Sequence, residues 1–371
     1  MKFRVERDVL ADAVAWTART LPSRPPVPVL AGLLLEVDGH ELTLSGFDYE
    51  VAAQAQLEVT TSEGGRALVS GRLLAEICRS LPGAPVELAT EGARVALNCG
   101  PARFLLPVLP VEDYPTLPDM PTASGTIGSD AFAAAVSSVA TAAGRDDTLP
   151  VLTGVRVEID GEVITLAATD RYRLAVRELR WQPEAPGLSA TALVPARTLA
   201  ETAKALTAGA EVTMALAAGS AGEGLIGFTG GRRRTTTRLL DGEFPKYRSL
   251  LPTEFAATAL VDTAGLVEAV KRVSLVAARH SPVRLSFSAD GVELEAGGAD
   301  EAQARELLEV TYDGEPMTIA FNPGYLLDGL AAIDSDVARL AFTSPARPAV
   351  VTGKDPGADY RYLLMPIRLS G

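Results

Sequence analysis

Short runs rich in Val, Ile and Leu alternate along the chain with stretches whose apolar residues recur every three or four positions, as expected of strands interleaved with amphipathic helices. Three pairs of strand-like runs are joined by Asp-Gly: Asp38-Gly39, Asp160-Gly161 and Asp290-Gly291. Asp-Gly between apolar runs predicts a tight hairpin turn. Leu74, Ile77, Cys78 and Leu81 fall at helical spacing directly after the apolar run Leu68-Val69, so a strand is expected to enter an amphipathic helix there. Other helices are expected to start near Asp8, Asp130 and Asp262, whose carboxylates suit the orphan N–H groups of a first turn. These helices should bury Leu10 and Val14, Phe132 and Val136, and Leu266 and Val270.

The elements recur in a fixed order. Pro28-Val29-Leu30-Ala31-Gly32 returns as Pro150-Val151-Leu152-Thr153-Gly154, and the same offset carries Asp48 onto Asp170. A further offset leads to Asp290-Gly291 and Asp300. Leu68-Val69-Ser70-Gly71-Arg72 matches Leu193-Val194-Pro195-Ala196-Arg197, and Phe321-Asn322-Pro323-Gly324-Tyr325 continues the series. Asp113-Tyr114-Pro115 and Glu243-Phe244-Pro245 close the first two copies. The chain therefore divides into three α+β units, residues 1–121, 122–254 and 255–371, each with two helices packed on antiparallel strands. Units of this size are domains, and head-to-tail copies of one domain favour an arc that a second chain can close into a ring.

Composition narrows the class. Of 371 residues, 47% are hydrophobic and 22% charged, the balance of a globular protein. Two cysteines, Cys78 and Cys99, exclude a disulfide scaffold and a four-cysteine zinc site. Charges at Lys2, Arg4, Glu6, Arg7 and Asp8 occupy the place of a signal peptide's apolar stretch. No apolar run approaches the roughly 18 residues of a membrane span, so a cytoplasmic protein without a membrane partner is expected. The net charge is −13, and the three units carry 10 basic residues against 16 acidic, 14 against 15, and 10 against 16. A uniformly basic nucleic-acid surface is excluded, while a local basic face is not, because affinity for phosphate depends on nearby charge.

Catalytic signals are weak. His40 follows a hairpin glycine and reads as an exposed turn residue, and His280 has no ligand-like neighbour. Gly222-Glu223-Gly224-Leu225-Ile226-Gly227 fits a dinucleotide fingerprint but precedes Phe228-Thr229-Gly230-Gly231, which reads as a hairpin and not as a helix. Asp48, Asp170 and Asp300 recur in all three units, which favours a shared turn role over a catalytic one. Asp146-Asp147 and Asp334-Ser335-Asp336 read as solvated loop carboxylates before they read as cation ligands. No enzyme, metal or cofactor is expected. Basic residues are more suggestive: Arg72 and Arg79 share a helix face, and the second unit keeps both charges as Arg197 and Lys204. The third unit has Gly324 and Ala331 instead, while Arg24 and Arg145 lie just beyond helix ends. Taken in isolation, solvated polar faces are the favoured explanation of these charges. In a ring of repeats the same faces would point inward and contact phosphates without reading bases. Arg232-Arg233-Arg234 reads as a hairpin tip.

Over its whole length the sequence resembles the bacterial sliding clamps, the β subunits of DNA polymerase III. The resemblance rests on Met1-Lys2-Phe3, Ala168-Thr169-Asp170-Arg171-Tyr172-Arg173-Leu174-Ala175-Val176, Phe244-Pro245-Lys246-Tyr247-Arg248 and Met365-Pro366-Ile367-Arg368-Leu369, together with the triple repeat. It implies a head-to-tail homodimer ring of six similar domains around duplex DNA, a non-catalytic processivity factor. It also implies a pocket for short motifs of the replicative polymerase α subunit, the clamp loader and repair polymerases. Carried onto this chain, that pocket comprises Leu152, Thr169, Arg171, Tyr172, Arg173, Leu174, Pro245, Leu250, Asn322, Tyr325, Ala346, Leu363, Leu364, Met365, Pro366, Ile367 and Arg368. Leu, Pro and Met would supply its walls, and Arg173 and Asn322 would orient a peptide backbone. Plain strand burial is the alternative for Leu174, Leu363 and Met365.

The resemblance brings Arg24 and Arg145 to DNA beside Arg72, Arg79, Arg197 and Lys204, and sets Phe104 and Leu106 against Leu275 and Val276 of a second copy. Arg171-Tyr172 stands where many members have Gly-His, and Ser249 where some have Arg, differences that bear on peptide preference. Two other readings stay open: a peptide-binding scaffold that does not encircle DNA, and a specialised second clamp tolerant of a pocket inhibitor.

Overall fold

The computed structural model describes residues 1–217, 224–278, 281–298, 302–355 and 359–368. Among them are six α-helices: α1 (Arg7–Thr17), α2 (Gly71–Ser80), α3 (Ser129–Ala140), α4 (Ala196–Ala205), α5 (Thr263–Val273) and α6 (Pro323–Ala331). Every strand pair among the described residues is antiparallel, both where a short hairpin joins the strands and where they come from different repeats. Two compact units emerge, and the residues of the middle repeat are shared between them.

The first unit, residues 1–130, 182–185 and 201–239, contains a 14-stranded sheet. Its order runs from Gln182–Pro183 and Ala123–Gly128 through Glu211–Ala217, Leu225–Gly230 and Arg233–Arg238 to Val51–Glu58. From there it continues through the strands of the first repeat. The joint between repeats is the pairing of Arg233–Arg238 with Val51–Glu58. Helices α1 and α2 pack together on this unit's core, where Leu10, Val14, Leu74, Ile77, Cys78 and Leu81 meet Leu33, Leu35, Leu42, Leu44, Leu88 and Leu97. Burying residues at helical spacing against residues at alternate strand positions is what the sequence periodicities specify. Cys78 belongs to this core, and burial pushes its thiol up to about 12.

The second unit, residues 131–181, 186–200 and 240–371, holds a nine-stranded and a four-stranded sheet. In the larger sheet Arg173–Arg180 of the middle repeat pairs with Tyr360–Leu364 of the third. In the smaller, Ala304–Leu308 forms one edge. Helix α5 packs on α6 and over Gly291–Ala296 and Ala304–Leu308. Leu266 and Val270 are buried, as are Phe132 and Val136 on α3.

Two of the Asp-Gly hairpins form as expected, with Gly39 at φ 57° and Gly161 at φ 56° in the left-handed region that L side chains avoid, whereas in the third the loop is Ala289-Asp290 and Gly291 already pairs with Ser288. The caps are only partly as expected. Asp262 accepts from the Gly265 N–H at 2.6 Å and caps α5. Asp8 and Asp130 instead lie inside the first turns of α1 and α3, where their charge complements the helix dipole.

Candidate functional site

The turn Asp170–Tyr172 links the strands Val163–Thr169 and Arg173–Arg180 and is built by side chains. One carboxylate oxygen of Asp170 accepts from the Tyr172 and Arg173 N–H groups, each at 3.0 Å, and the Thr169 hydroxyl accepts from the Arg171 N–H. These bonds hold Arg171 at φ 78°, a value natural to glycine and costly for any other residue. The first repeat builds the same turn: Asp48 accepts from Glu50 and Val51 N–H groups, and Tyr49 stands at φ 76°. The recurring aspartate is thus a turn-former in both repeats where it is described, and Asp300 lies outside the described residues.

Behind the turn, Arg173 is 6% exposed and forms the hub of a buried polar network. Its guanidinium donates to Asp170 at 3.0 Å and to Asp328 of α6, approaches the Tyr362 hydroxyl, and stacks on the Tyr325 ring at 4.3 Å. Tyr362 in turn donates to the Tyr325 carbonyl at 2.8 Å. Burial works against the charge of Arg173, but Tyr362, Asp328 and Asp170 outweigh it and hold the guanidinium above its ordinary value. Burial likewise raises the Tyr362 hydroxyl, so it remains a neutral donor. At Gly329 of α6 any Cβ would meet the Tyr362 ring at 2.4 Å, which is why glycine occupies this close contact. Arg173 therefore commits its Nε and one terminal nitrogen to partners within the protein. Asn322 similarly commits its carbonyl oxygen to the Tyr325 N–H, capping α6.

Above this network opens a concavity of about 600 Å³. Leu149 and Leu152 form one side, Asn322, Gly324 and Tyr325 of the α6 start another, and the Asp170–Arg173 turn the third. Tyr172, 57% exposed, stacks on Tyr325 with ring centroids 6.4 Å apart. The Tyr172 carbonyl accepts from the Met365 N–H at 2.9 Å, which brings the exposed Met365 beside the turn. Of the residues assigned to peptide from the sequence, Leu152, Arg171, Tyr172, Arg173, Asn322 and Tyr325 line this concavity. Thr169 lies beneath it, its hydroxyl donating to the Arg173 carbonyl at 2.7 Å. Leu174 and Leu363 are buried in an apolar cluster with Ala167, Val176, Phe244, Tyr247 and Val350, so they support the surface without forming it. Leu364 is fully buried and offers no contact, because the strand pleat turns it away from Leu363. Pro245, Pro366 and Ile367 are half-buried, while Leu250, Ala346 and Arg368 are exposed.

Arg145, assigned to DNA from the sequence, lines the same concavity with Asp146. The Asp146 carboxylate accepts from the hydroxyl and N–H of Thr148, and these bonds with the nearby Arg171 charge hold it below its ordinary value. Arg24, Arg72, Arg79, Arg197 and Lys204 are all exposed. Arg72 donates to the Pro22 carbonyl at 3.2 Å, tying α2 to the loop that carries Arg24. Arg232 and Arg233 follow a hairpin glycine as expected, but they pair with Glu58 and Asp12, and Arg233 stacks over Trp16 at 5.2 Å. They belong to the joint between the first two repeats. His40 is an exposed turn residue, whereas His280 and Gly222-Glu223 lie outside the described residues.

Leu106 requires correction. At 1% exposure it is part of the first unit's core, and the pleat turns Leu105 outward instead, at 44%. Phe104 packs partly against the same core, Val276 is half-buried, and Leu275 stands 85% exposed. Among the described residues no group of three or more His, Cys, Asp or Glu is placed to hold a metal ion, and no helix is long and apolar enough to cross a membrane.

Comparison with known proteins accounts for this arrangement. The DNA polymerase III beta subunit family matches in three consecutive parts: its N-terminal domain over residues 1–118, its central domain over 126–246 and its C-terminal domain over 248–368. The beta sliding clamp of Streptomyces coelicolor is 60% identical, with all of both chains covered. A beta sliding clamp homolog, GriR, of Streptomyces muensis is 47% identical over 99% of each chain. A crystal structure of a sliding clamp from Pseudomonas aeruginosa bound to griselimycin superposes with a TM-score of 0.90, at 29% identity and with both chains fully covered. With its triple repeat, its antiparallel sheets and its full-length likeness to these proteins, the chain belongs to the DNA polymerase III beta subunit family, the bacterial sliding clamps.

Proposed function

We propose that two copies of this chain close head to tail into a ring around duplex DNA, that the concavity at Tyr172, Tyr325 and Met365 docks short peptide segments of polymerase and clamp-loading proteins, and that the ring catalyses nothing itself. The observation that carries the docking is a preformed hollow with an aromatic stack and an exposed methionine over a rigid ion-paired base. Tyrosine rings present apolar area to a peptide at small entropic cost, and a methionine side chain adapts its shape to it.

Two unsatisfied strand edges support ring closure. Along residues 102–107 the strand Ala102–Leu109 pairs with Arg94–Cys99 on one side, and it meets Gly65–Ser70 only through Val108 and Leu109. Ala304–Leu308 is an edge strand with Leu307 65% exposed. Native proteins blunt or cover exposed strand edges, and a strand from a second chain is one such cover. Leu275, 85% exposed on the segment after α5, adds an apolar contact for the same joint. A ring also explains how an acidic protein stays on DNA, since escape requires opening a circle and not breaking many ion pairs. Exposed Arg24, Arg72, Arg79, Arg197 and Lys204 would contact phosphates transiently.

Loading the protein onto circular plasmid and then linearising half of the sample tests this. Slow loss from circles and rapid loss from linear DNA is the expected result, with a dimer mass in solution. Equal loss from both forms, or a stable monomer, refutes the ring and leaves only a peptide-binding scaffold.

A further inference from the structure

A second groove lies on the face of the nine-stranded sheet that carries Leu174 and Leu363. Two residues further along the paired strands, Val176 stands opposite Arg361, and across the neighbouring strands Thr352 stands opposite Arg339. The segment Tyr247–Phe255 runs over this face and encloses a groove of about 390 Å³. Its walls are apolar, from Val176, Val350, Leu251 and Phe255, but three guanidiniums converge on it: Arg248, Arg339 and Arg361. Glu178 is the one carboxylate in the lining.

The three cations are underused. Arg361 pairs with Glu178 through one terminal nitrogen, and its Nε–H is buried without an acceptor. Arg248 pairs with Glu158 through one terminal nitrogen and lies over the Tyr247 ring at 5.0 Å. Arg339 rests on the Phe255 ring at 5.3 Å and has no carboxylate partner among the described residues. A guanidinium carries five N–H donors, so the groove holds far more donor capacity than its own carboxylate absorbs. In a chain of net charge −13, such a surplus of positive charge between apolar walls is a selective feature.

We infer that this groove is a docking site, separate from the concavity at Tyr172, for an extended peptide segment of a partner protein that alternates acidic and apolar residues. Its carboxylates meet Arg339, Arg361 and Arg248, and its apolar side chains enter between Val176, Val350 and Phe255. The apolar walls and the single acidic residue favour such a peptide over a nucleic-acid strand, which would present phosphate to a hydrophobic slot.

Fluorescence anisotropy with labelled eight-residue peptides tests the assignment on the full chain, comparing a Glu-Leu alternating probe with a Lys-Leu probe and a twelve-residue oligothymidylate. The Glu-Leu peptide is expected to bind, and Arg339→Ala and Arg361→Ala should each weaken it about threefold to fivefold, the worth of one partly exposed ion pair. Arg339→Lys should retain most of the binding, and the bound peptide should protect amides of residues 248–255 and 349–353 from exchange. Tyr172→Ala, which alters only the concavity, should leave this binding unchanged. Equal binding of the Glu-Leu and Lys-Leu probes overturns the inference, as does tighter binding of the oligonucleotide. Loss through Tyr172→Ala without loss through Arg339→Ala would return the peptide to the concavity. Arg339 contributes no ion pair among the described residues, so its variant reads the groove even if Arg361→Ala fails to fold.

Discussion

Arg173→Ala isolates the element on which the concavity depends. The side chain is 6% exposed and bridges a strand of the middle repeat, the turn carboxylate Asp170 and helix α6 through Asp328. Removing one member of a buried ion pair costs about 3–5 kcal/mol, chiefly because the partner charge is left unpaired. Here the two partners differ. Asp328 is 42% exposed and rehydrates, whereas Asp170, at 13%, retains two backbone N–H donors. The loss should therefore fall near the lower limit, about 3 kcal/mol, with lost stacking on Tyr325 included. Arg173→Lys keeps the charge but not the planar fork, and should cost about 1–2 kcal/mol. Local opening is the appropriate readout in a chain of more than one cooperative unit. Hydrogen exchange of residues 173–180 and 360–364 should accelerate roughly a hundredfold in Arg173→Ala, the equivalent of about 3 kcal/mol. Exchange in the strands of residues 32–47 should not change. Acceleration below about threefold would mean that the network is dispensable, and the rigid base of the concavity would have to be sought elsewhere.

Other expectations follow from single residues. Leu275→Asp places a charge on the most exposed leucine among the described residues and should convert the dimer to monomer in sedimentation, with unchanged circular dichroism. Joint truncation of Tyr172 and Met365 to Ala should weaken a clamp-motif peptide at least tenfold by calorimetry and leave the dimer mass intact. Burial alone would raise the Glu158 carboxyl, but hydrogen bonds from Arg248, Arg156 and Tyr247 outweigh it and hold it below its ordinary value. The stability this confers is present above the unfolded value of about 4.5 and is lost as pH falls through the depressed folded value. Glu158→Gln should accordingly flatten the acid limb of a urea midpoint plotted against pH. The buried Cys78 thiol, at about 12, should resist a thiol reagent at pH 8 until the protein is unfolded.

How much of this was legible in the sequence depends on the range of the interaction. Asp-Gly turns and helix faces are set within a few residues, and Gly39, Gly161, Leu10 and Leu74 lie where periodicity puts them. Strand faces are less forgiving, since a shift of one residue exchanges inside and outside. That is the difference between Leu106 and Leu105. The role of Arg173 was hidden because Asp328 and Tyr362 lie 155 and 189 residues away, and only tertiary structure brings them to its guanidinium. Arg145 reads locally as a helix-end cation, and its place on the concavity follows from the return of the chain through Leu152, whose carbonyl accepts from the Gly144 N–H at 2.7 Å. The groove at Arg339 has no local signature, because its cations come from three separate strands and turns.

The two joints between repeats show why one is sealed and the other leaves a hollow. Their backbones are equivalent. Glu50 O accepts from Arg238 N at 2.9 Å in the first, and Tyr172 O accepts from Met365 N at 2.9 Å in the second. Each follows a left-handed residue held by an aspartate, and each faces an antiparallel strand from the next repeat. Side chains make the difference. In the first joint Val51, Ala52 and Ala53 meet the buried Thr237, Thr236 and Thr235, small residues that let the sheet run on without a hollow, and Arg238 closes the rim by donating to the Tyr49 carbonyl at 3.1 Å. In the second, Arg173 and Leu174 meet Tyr362, Leu363 and Leu364, and the bulk of the Arg173–Tyr362–Tyr325 network lies beneath the exposed pair Tyr172 and Met365. Where the first joint places Glu50 and Arg238, which remain solvated, the second places an aromatic ring and a thioether that gain from being covered. One backbone arrangement therefore yields a sealed seam or an open apolar hollow according to two exposed positions and the volume packed behind them.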